Sequence, residues 1–259
     1  MNDTSRVPDV GVGFVEDVQE GATEVRQILA IEPSGSAGDL RLYLEAPLRR
    51  PHKATVAVAH CEPIRNAVFR NLRFTTDNQP GPRVGIHLHM AFDAHISNVT
   101  SANWRGFSLI LMDAGGRNNA IKDCYAVGVN SPGDYPNGWG IAVEGQEGTM
   151  IVNSGANRHA TGIIINYSID TFAMNSLVQG CSQVSLSLSP DIEGNPSMNS
   201  GFIGGRVLGG GLGANIGRNC VDCVVDVSIE YPQSGVKVGP GAYNTRVLGS
   251  ILGEGRSGS

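Results

Sequence analysis

The feature that most constrains this chain is a short segment that recurs at intervals of roughly two dozen residues. Each copy alternates apolar and other residues, is usually led by glycine, and is followed by a turn and a second short apolar segment. The first segments are GIHLH (85–89), SLILM (108–112), GIAVE (140–144), GIIIN (162–166), SLSLS (185–189), GLGAN (211–215) and GVKVG (235–239). A period of this length indicates stacked structural repeats.

The repeat unit is too short for a strand–helix–strand crossover, and it shows no helical apolar period. A coil of two or three short strands, each paired in parallel with its equivalent one turn later, would satisfy the backbone hydrogen bonds and bury a column of Ile, Val and Leu. The sequence therefore predicts an all-β parallel solenoid over residues 21–254. Residues 1–20 would be an N-terminal tail or remnant cap, and residues 255–259 a flexible C-terminal tail.

Asparagine recurs after the turn that separates the two segments of a coil, at Asn66, Asn98, Asn153 and Asn175, with Asp123 in the same place. Equivalent positions of successive coils stack on one another in a solenoid. We therefore expect a ladder of side-chain amides at this corner, with a structural role.

The repeated segments, which we call rungs, resemble the right-handed, single-stranded parallel β-helix proteins of the pectin-lyase-like superfamily. The upstream stretch from Gly38 to Phe74 shares this resemblance. The resemblance covers about residues 24–253. That superfamily includes polysaccharide lyases, glycoside hydrolases, sugar epimerases, bacteriophage tail spikes and non-catalytic repeat proteins. The resemblance thus implies a fold, and function has to be sought in the residues of a site.

Charge and hydropathy exclude several partners. The net charge is −5, from 24 acidic and 19 basic residues, and no cluster of lysine and arginine suits a phosphate backbone. No apolar segment reaches the length of a membrane span, and the N-terminus lacks the features of a signal peptide. We expect neither nucleic acid nor membrane as a partner. The location stays open: the chain could be cytoplasmic, part of a virion, or a fragment of a larger protein.

The outward positions of the rungs carry the functional signal. If the first segments stack position by position, one outward column begins His87, Ile110, Ala142, Ile164, and the other begins His89, Met112, Glu144, Asn166. Titratable groups are concentrated between His87 and Asn166, whereas later rungs present Ser, Gly, Asn and one Lys. The sequence therefore predicts a site on the early rungs.

Two carboxyl groups in this region have the arrangement that glycoside hydrolysis needs. Asp113 and Glu144 are expected on adjacent rungs, about 4.8 Å apart at the backbone. Hydrolysis uses one carboxyl group as acid and the other as nucleophile or base.

Histidines and arginines nearby would instead suit β-elimination on a uronate. His89 or His159 is a candidate base, and Arg117 or Arg158 would neutralise the substrate carboxylate. An equally simple interpretation holds that these side chains, and Glu144, are solvated or make structural contacts only.

An insertion over residues 128–140, GVNSPGDYPNGWG, interrupts the repeat beside these rungs. Its proline and glycine content indicates a surface loop, and its aromatic residues could stack on a sugar ring. The residues that we expect to contact sugar are His87, Asn166, Arg158, Tyr135 and Trp139.

No metal ligand set is assigned from the sequence. His87, His89, Asp93 and His95 have zinc-compatible side chains, but the chain would have to turn sharply between them. Calcium bound through Asp93 and Asp113 is the one cofactor that remains open, and none other is expected.

The expected function is that of a polysaccharide-active enzyme, a lyase or a glycoside hydrolase, which binds a polysaccharide or oligosaccharide on the outer face of the coil. A second class is a non-catalytic structural or receptor-binding β-helix such as a phage tail-spike segment, assembled as a homotrimer. A third class is a sugar epimerase or small-molecule cyclase, which no residue pattern favours directly.

Overall fold

The computed structural model of the chain describes residues 12–16, 23–34, 40–47, 49, 57–60, 63–75, 84–113, 115–128, 138–190 and 195–253. All regular secondary structure in these ranges is β-strand. The chain divides into two compact units, Met1–Pro63 and Ile64–Ser259. Within the same ranges, no helix has the length and apolar character needed to cross a bilayer.

The first unit contains a four-stranded antiparallel sheet, in the order β3-β2-β1-β4. Its strands are β1 Val12–Glu16, β2 Thr23–Pro33, β3 Leu40–Leu44 and β4 Ala57–His60. The repeat predicts parallel coils from residue 21, so this antiparallel pairing differs from the expectation. The segment ATVAVAH (54–60) looks like a rung because apolar alternation is the same in parallel and antiparallel strands.

The second unit is a parallel solenoid, which confirms the predicted fold class. Seven strands form its first sheet: β7 Val84–His89, β10 Ser108–Asp113, β13 Trp139–Glu144, β16 Thr161–Asn166, β18 Val184–Ser189, β20 Leu212–Ile216 and β22 Ser234–Val238. Each strand pairs in parallel with its equivalent in the next coil. This connectivity satisfies the backbone groups along the whole stack.

A second parallel sheet of ten strands closes the coil. Its strands are β6 Val68–Thr75, β9 His95–Ala102, β11 Ala120–Lys122, β12 Tyr125–Val127, β14 Met150–Val152, β15 Gly155–Asn157, β17 Phe172–Gln179, β19 Gly201–Leu208, β21 Val224–Glu230 and β23 Arg246–Leu252. A short corner ladder joins the two sheets. It begins with β5 Ile64–Arg65 on β8 Ala91–Phe92 and continues through single bridges at Arg117, Glu147, Ile169, Met198, Val221 and Tyr243.

The core consists of apolar columns that run along the solenoid. The alternate residues of the first sheet that point inward stack as Ile86, Ile110, Ile141, Ile163, Leu186 and Ala214, and as Leu88, Met112, Val143, Ile165, Leu188 and Ile216. None of them is more than 5% exposed. Burial of these columns supplies the main driving force for folding.

The register of β10 corrects one sequence expectation. Ile110 and Met112 were expected to face outward, but both are 0% exposed and lie in the core. Leu111 and Asp113 face outward instead, opposite His87 and His89. The run SLILM is apolar at four consecutive positions, so alternation cannot show which face it presents, and the ladder of hydrogen bonds decides.

Four of the five residues predicted to form the amide ladder lie at equivalent positions of successive coils, at a bend within the second sheet. Asn98, Asp123, Asn153 and Asn175 all have left-handed backbones, with φ between 49° and 53°. The Asn153 side-chain amide donates to Asp123 Oδ1 at 3.2 Å. Asn and Asp tolerate this conformation better than other side chains with a Cβ, which explains their repetition at a tight corner. Asn66 shares the left-handed conformation but lies in the corner ladder between the two sheets.

Candidate functional site

The last residues of the first-sheet strands form a polar row on the outer face of the solenoid. This terminal row consists of His89, Asp113, Glu144, Asn166 and Ser189. Parallel in-register pairing places equivalent positions of successive strands about 4.8 Å apart. Because Met112 pairs with Val143, the residues that follow them, Asp113 and Glu144, are neighbours in the row.

The carboxylate of Asp113 binds two histidines at once. His87 Nε2 lies 2.8 Å from Asp113 Oδ2, and His89 Nδ1 lies 2.8 Å from Asp113 Oδ1. The two imidazole rings are nearly perpendicular, at 85°. The side chains of His87 and His89 are 47% and 59% exposed, so solvent and ligands reach both rings. Asp113 therefore fixes the orientation of two accessible imidazoles.

Glu144 is positioned by the next residue of the terminal row. The Asn166 side-chain amide donates to Glu144 Oε1 at 2.6 Å. Asn166 Oδ1 is buried without a hydrogen-bond partner among the described residues. The row thus presents, in order along the coil, an imidazole, a carboxylate, a second carboxylate and an amide. The predicted adjacency of Asp113 and Glu144 and of Glu144 and Asn166 is confirmed.

An apolar floor lies beside the terminal row. Leu111, Ala142 and Ile164 belong to the middle row of the outer face, two residues before the strand ends, yet they are 7%, 0% and 5% exposed. Phe107 and Trp139 pack against this floor, with their ring centroids 4.4 Å apart. The outer side of the early rungs therefore has a buried apolar middle row, two partly exposed aromatic rings at the strand starts, and acidic and imidazole groups at the strand ends.

The middle row becomes polar on the later rungs. It continues from Ile164 to Ser187, Asn215 and Lys237. Asn215 lies opposite Ser187, one column away from the place beside Ser189 that the sequence predicts. The Asn215 amide lies 3.4 Å from Ser187 Oγ, so the small polar groups of these rungs bond to one another.

Arg117 lies on the corner ladder, beyond the end of the terminal row. Its backbone bridges to Phe92 and Glu147. Its Nε lies 3.9 Å from Glu147 Oε2, and its guanidinium carbon lies 5.8 Å from the centroid of the Phe92 ring. These contacts hold the guanidinium at the corner, so the structure does not bring Arg117 into the row of His89 and Asp113.

His159 is buried at the corner that leads into β16, whereas an accessible base was expected there. Its side chain is 6% exposed, and Nε2 has no hydrogen-bond partner among the described residues. Burial lowers the pKa of His159 to about 4, although a backbone hydrogen bond with Ala126 opposes this shift. The preceding Arg158 has a left-handed backbone, with φ of 61°. Arg158 and His159 lie before the first residue of β16, whereas Asn166 of the terminal row is its last residue, so the structure does not bring these two residues to the row.

Two aromatic residues were expected to contact sugar. Tyr135 lies outside the described residues, and Trp139 lies on the apolar floor. Sequence reasoning missed Phe107 and the floor itself. The available signal was the run of apolar residues in SLILM and GIAVE, which has more apolar positions than one buried face of a strand requires.

Comparison with known proteins identifies no family. No protein-family model matches the chain. No curated protein matches it either. Among solved structures, the chain is similar to the tailspike protein gp49 from Pseudomonas phage LKA1, with 12% sequence identity and a TM-score of 0.29. The match covers 95% of this chain and 57% of the tailspike chain. A likeness at this level is not informative about function.

Proposed function

We propose that the solenoid is a polysaccharide-active enzyme that binds a glycan across the outer face of strands β7, β10, β13 and β16. The observation that supports this most is the double hydrogen bond from His87 and His89 to Asp113, with Glu144 next in the same row. A carboxylate that orients an accessible imidazole is a common arrangement for proton transfer.

His89 is the proposed base. Its Nδ1 faces Asp113, so the proton on the neutral ring belongs on Nδ1 and is donated to the carboxylate. Nε2 then has its lone pair free to accept a proton from a substrate. On a uronate this would be the proton beside the carboxylate, which is the first step of β-elimination. A protonated Glu144 would then donate its proton to the leaving oxygen.

Hydrolysis by Asp113 and Glu144 is the second reaction that the row would support. Adjacent strands put the two residues about 4.8 Å apart at the backbone. Carboxyl groups about 5 Å apart suit retention, and a separation of roughly 6.5 to 9.5 Å suits inversion. Asp113, held by the two histidines, would act as nucleophile or base, and Glu144 would be the acid.

The partly exposed rings of Phe107 and Trp139 are the proposed surface for the sugar rings, because the apolar faces of pyranose rings stack on aromatic side chains. Trp139 begins β13 and Glu144 ends it, so a glycan that contacts both would run along the strand, over the buried middle row. Asn166, whose side-chain amide already donates one hydrogen bond to Glu144, would donate its second N–H to a sugar hydroxyl.

A non-catalytic glycan-binding module, assembled as a homotrimer, is the second candidate function. It is favoured by the hydrogen bonds that already join His87 and His89 to Asp113 and Asn166 to Glu144, since side chains that are satisfied within the protein need no catalytic role. Analytical ultracentrifugation would then give three chains per particle.

The test is incubation with a panel of acidic and neutral polysaccharides, following the ultraviolet absorbance of unsaturated uronates together with new reducing ends. Elimination raises both signals, and hydrolysis raises reducing ends alone. A His89→Gln variant should lose the activity, and His95→Gln, an exposed histidine of the second sheet, should keep it. Silence across the panel from a folded protein would contradict the enzymatic proposal.

A further inference from the structure

Three potential metal ligands converge on the outer face of strands β7 and β10. His87 and His89 are two positions apart in one strand, so their side chains point to the same side of the sheet. Asp113 lies directly opposite His89 in the next strand. Two paired strands within a seven-stranded sheet hold the Cα atoms of all three residues, so the set is fixed by the fold.

The distances suit a single ion. One nitrogen from each histidine and a carboxylate oxygen all lie within 4.8 Å of one another, and each nitrogen is 2.8 Å from its oxygen. Two ligands of a tetrahedral zinc ion, each about 2.1 Å from the metal, lie about 3.4 Å apart. Small side-chain rotations would therefore convert the two hydrogen bonds into three metal bonds.

We propose that His87 Nε2, His89 Nδ1 and a carboxylate oxygen of Asp113 bind a divalent transition-metal ion of the zinc class. Two imidazole nitrogens with a carboxylate oxygen form a ligand set that binds zinc well. Calcium prefers sites made of oxygen ligands alone. Three protein ligands leave the fourth position of a tetrahedral ion for water or substrate, and Glu144 follows Asp113 in the terminal row.

The sequence alone did not reveal this set. Alternation in β10 predicts Met112 beside His89, and the zinc-compatible residues nearest to the two histidines in sequence are Asp93 and His95. The observed register puts Asp113 opposite His89 instead. His95 lies in the second sheet, where it pairs with Ala120 and Val68.

The ion and the proposed base need opposite tautomers of His89. A neutral imidazole that binds a metal through Nδ1 carries its proton on Nε2, so Nε2 has no lone pair to accept a proton from a substrate. The ion-loaded site would therefore lose His89 as a base. Binding of the ion itself does not depend on any activity toward glycans, so the two proposals are tested separately.

The experiment is isothermal titration of zinc chloride into the full chain, freed of any affinity tag and dialysed against a chelator. We expect one ion per chain, with at least about tenfold weaker binding in His89→Gln and in Asp113→Asn, since loss of even a supporting partner costs 10- to 100-fold. His95→Gln is the matched control and should bind like the wild type. With cobalt(II) in place of zinc, the intensity of the visible absorption bands of the wild type would report a low coordination number.

Thermal melting of each variant confirms that it is folded, and His87→Gln provides a third ligand variant. Absence of stoichiometric binding by the wild type would overturn the proposal, because the three side chains would then form hydrogen bonds only. Equal affinity in the wild type, His89→Gln and Asp113→Asn would overturn it as well, since the zinc would then be bound elsewhere.

Discussion

The early and late rungs of the solenoid have similar cores but different outer faces. Inside, the same apolar columns run from β7 to β20. Outside, strands β7, β10, β13 and β16 carry histidine, carboxylate, amide and apolar groups, whereas β18, β20 and β22 carry Ser, Asn and Lys. In this molecule the inner columns provide stability along the whole coil, and only one stretch of the outer face has the side chains for chemistry.

This division follows from the architecture. Each coil contacts mainly its two neighbours, so inward positions must match from coil to coil. Outward positions are released from that requirement once the ladder of backbone hydrogen bonds is made. A cluster such as the one around Asp113 can therefore be built on the solenoid at little cost to folding.

The largest difference should be seen in activity. Asp113→Asn removes the carboxylate that orients His89, and we expect glycan cleavage to fall by about 10²- to 10⁴-fold. Lys237→Gln changes an outward charge on a late rung and should leave the rate unchanged. Initial rates on the substrate found in the panel would measure both. Equal losses in the two variants would remove the distinction between early and late rungs.

Core substitutions should not distinguish the two regions. Ile163→Ala in β16 and Ile216→Ala in β20 each remove a fully buried side chain, and we expect each to lower the free energy of unfolding by roughly 2–5 kcal/mol. Urea denaturation would measure this, with Lys237→Ala as an outward control that stays within about 0.5 kcal/mol of the wild type. A clearly smaller loss for Ile216→Ala would show that the late core contributes less.

Acid should destabilise the solenoid through His159. Its folded pKa of about 4 lies below the ordinary value of 6.5, so the unfolded chain binds more protons between these values. The stability is complete above pH 6.5 and falls by up to about 3 kcal/mol as the pH approaches 4. Unfolding midpoints as a function of pH should show a shallower dependence in His159→Leu. The prediction would be contradicted if the pH dependence of the unfolding midpoint were unchanged in His159→Leu and altered in the exposed control His95→Gln.

The smallest effect concerns the apolar floor. Trp139→Ala removes one ring of the pair with Phe107, and we expect glycan affinity to fall roughly 2- to 10-fold. Tyr231→Ala, an exposed aromatic residue after β21, should bind glycan like the wild type. Affinity electrophoresis in glycan-containing gels would compare the two. A larger loss for Tyr231→Ala would move the binding surface away from the early rungs.

The fold could be predicted because the same apolar pattern recurs in every coil of the solenoid. Apolar alternation in segments such as GIHLH and SLSLS fixes the inward face of each strand. The register of β10 could not be predicted, because Leu109 to Met112 are all apolar. The placement of His159 depends on packing at a corner, and the antiparallel pairing of β4 depends on strands distant in sequence, so neither leaves a local pattern.

The candidate site was predictable in part for the same reason. Glu144 and Asn166 are the last residues of two equivalent segments, GIAVE and GIIIN, and their contact follows directly from the repeat spacing. The bonds of His87 and His89 to Asp113 required the true register. Arg117 was expected close to these residues because it is near them in sequence, but the chain passes a corner between Asp113 and Arg117.

The most direct test of the central claim is a crystal structure of the Glu144→Gln variant with an oligosaccharide from the panel. We predict sugar rings against Trp139, with the scissile linkage within hydrogen-bonding distance of His89 or residue 144. Ordered sugar on the late rungs around Ser187 and Lys237, with the early rungs left free, would contradict the assignment of function to the outer face of β7, β10, β13 and β16.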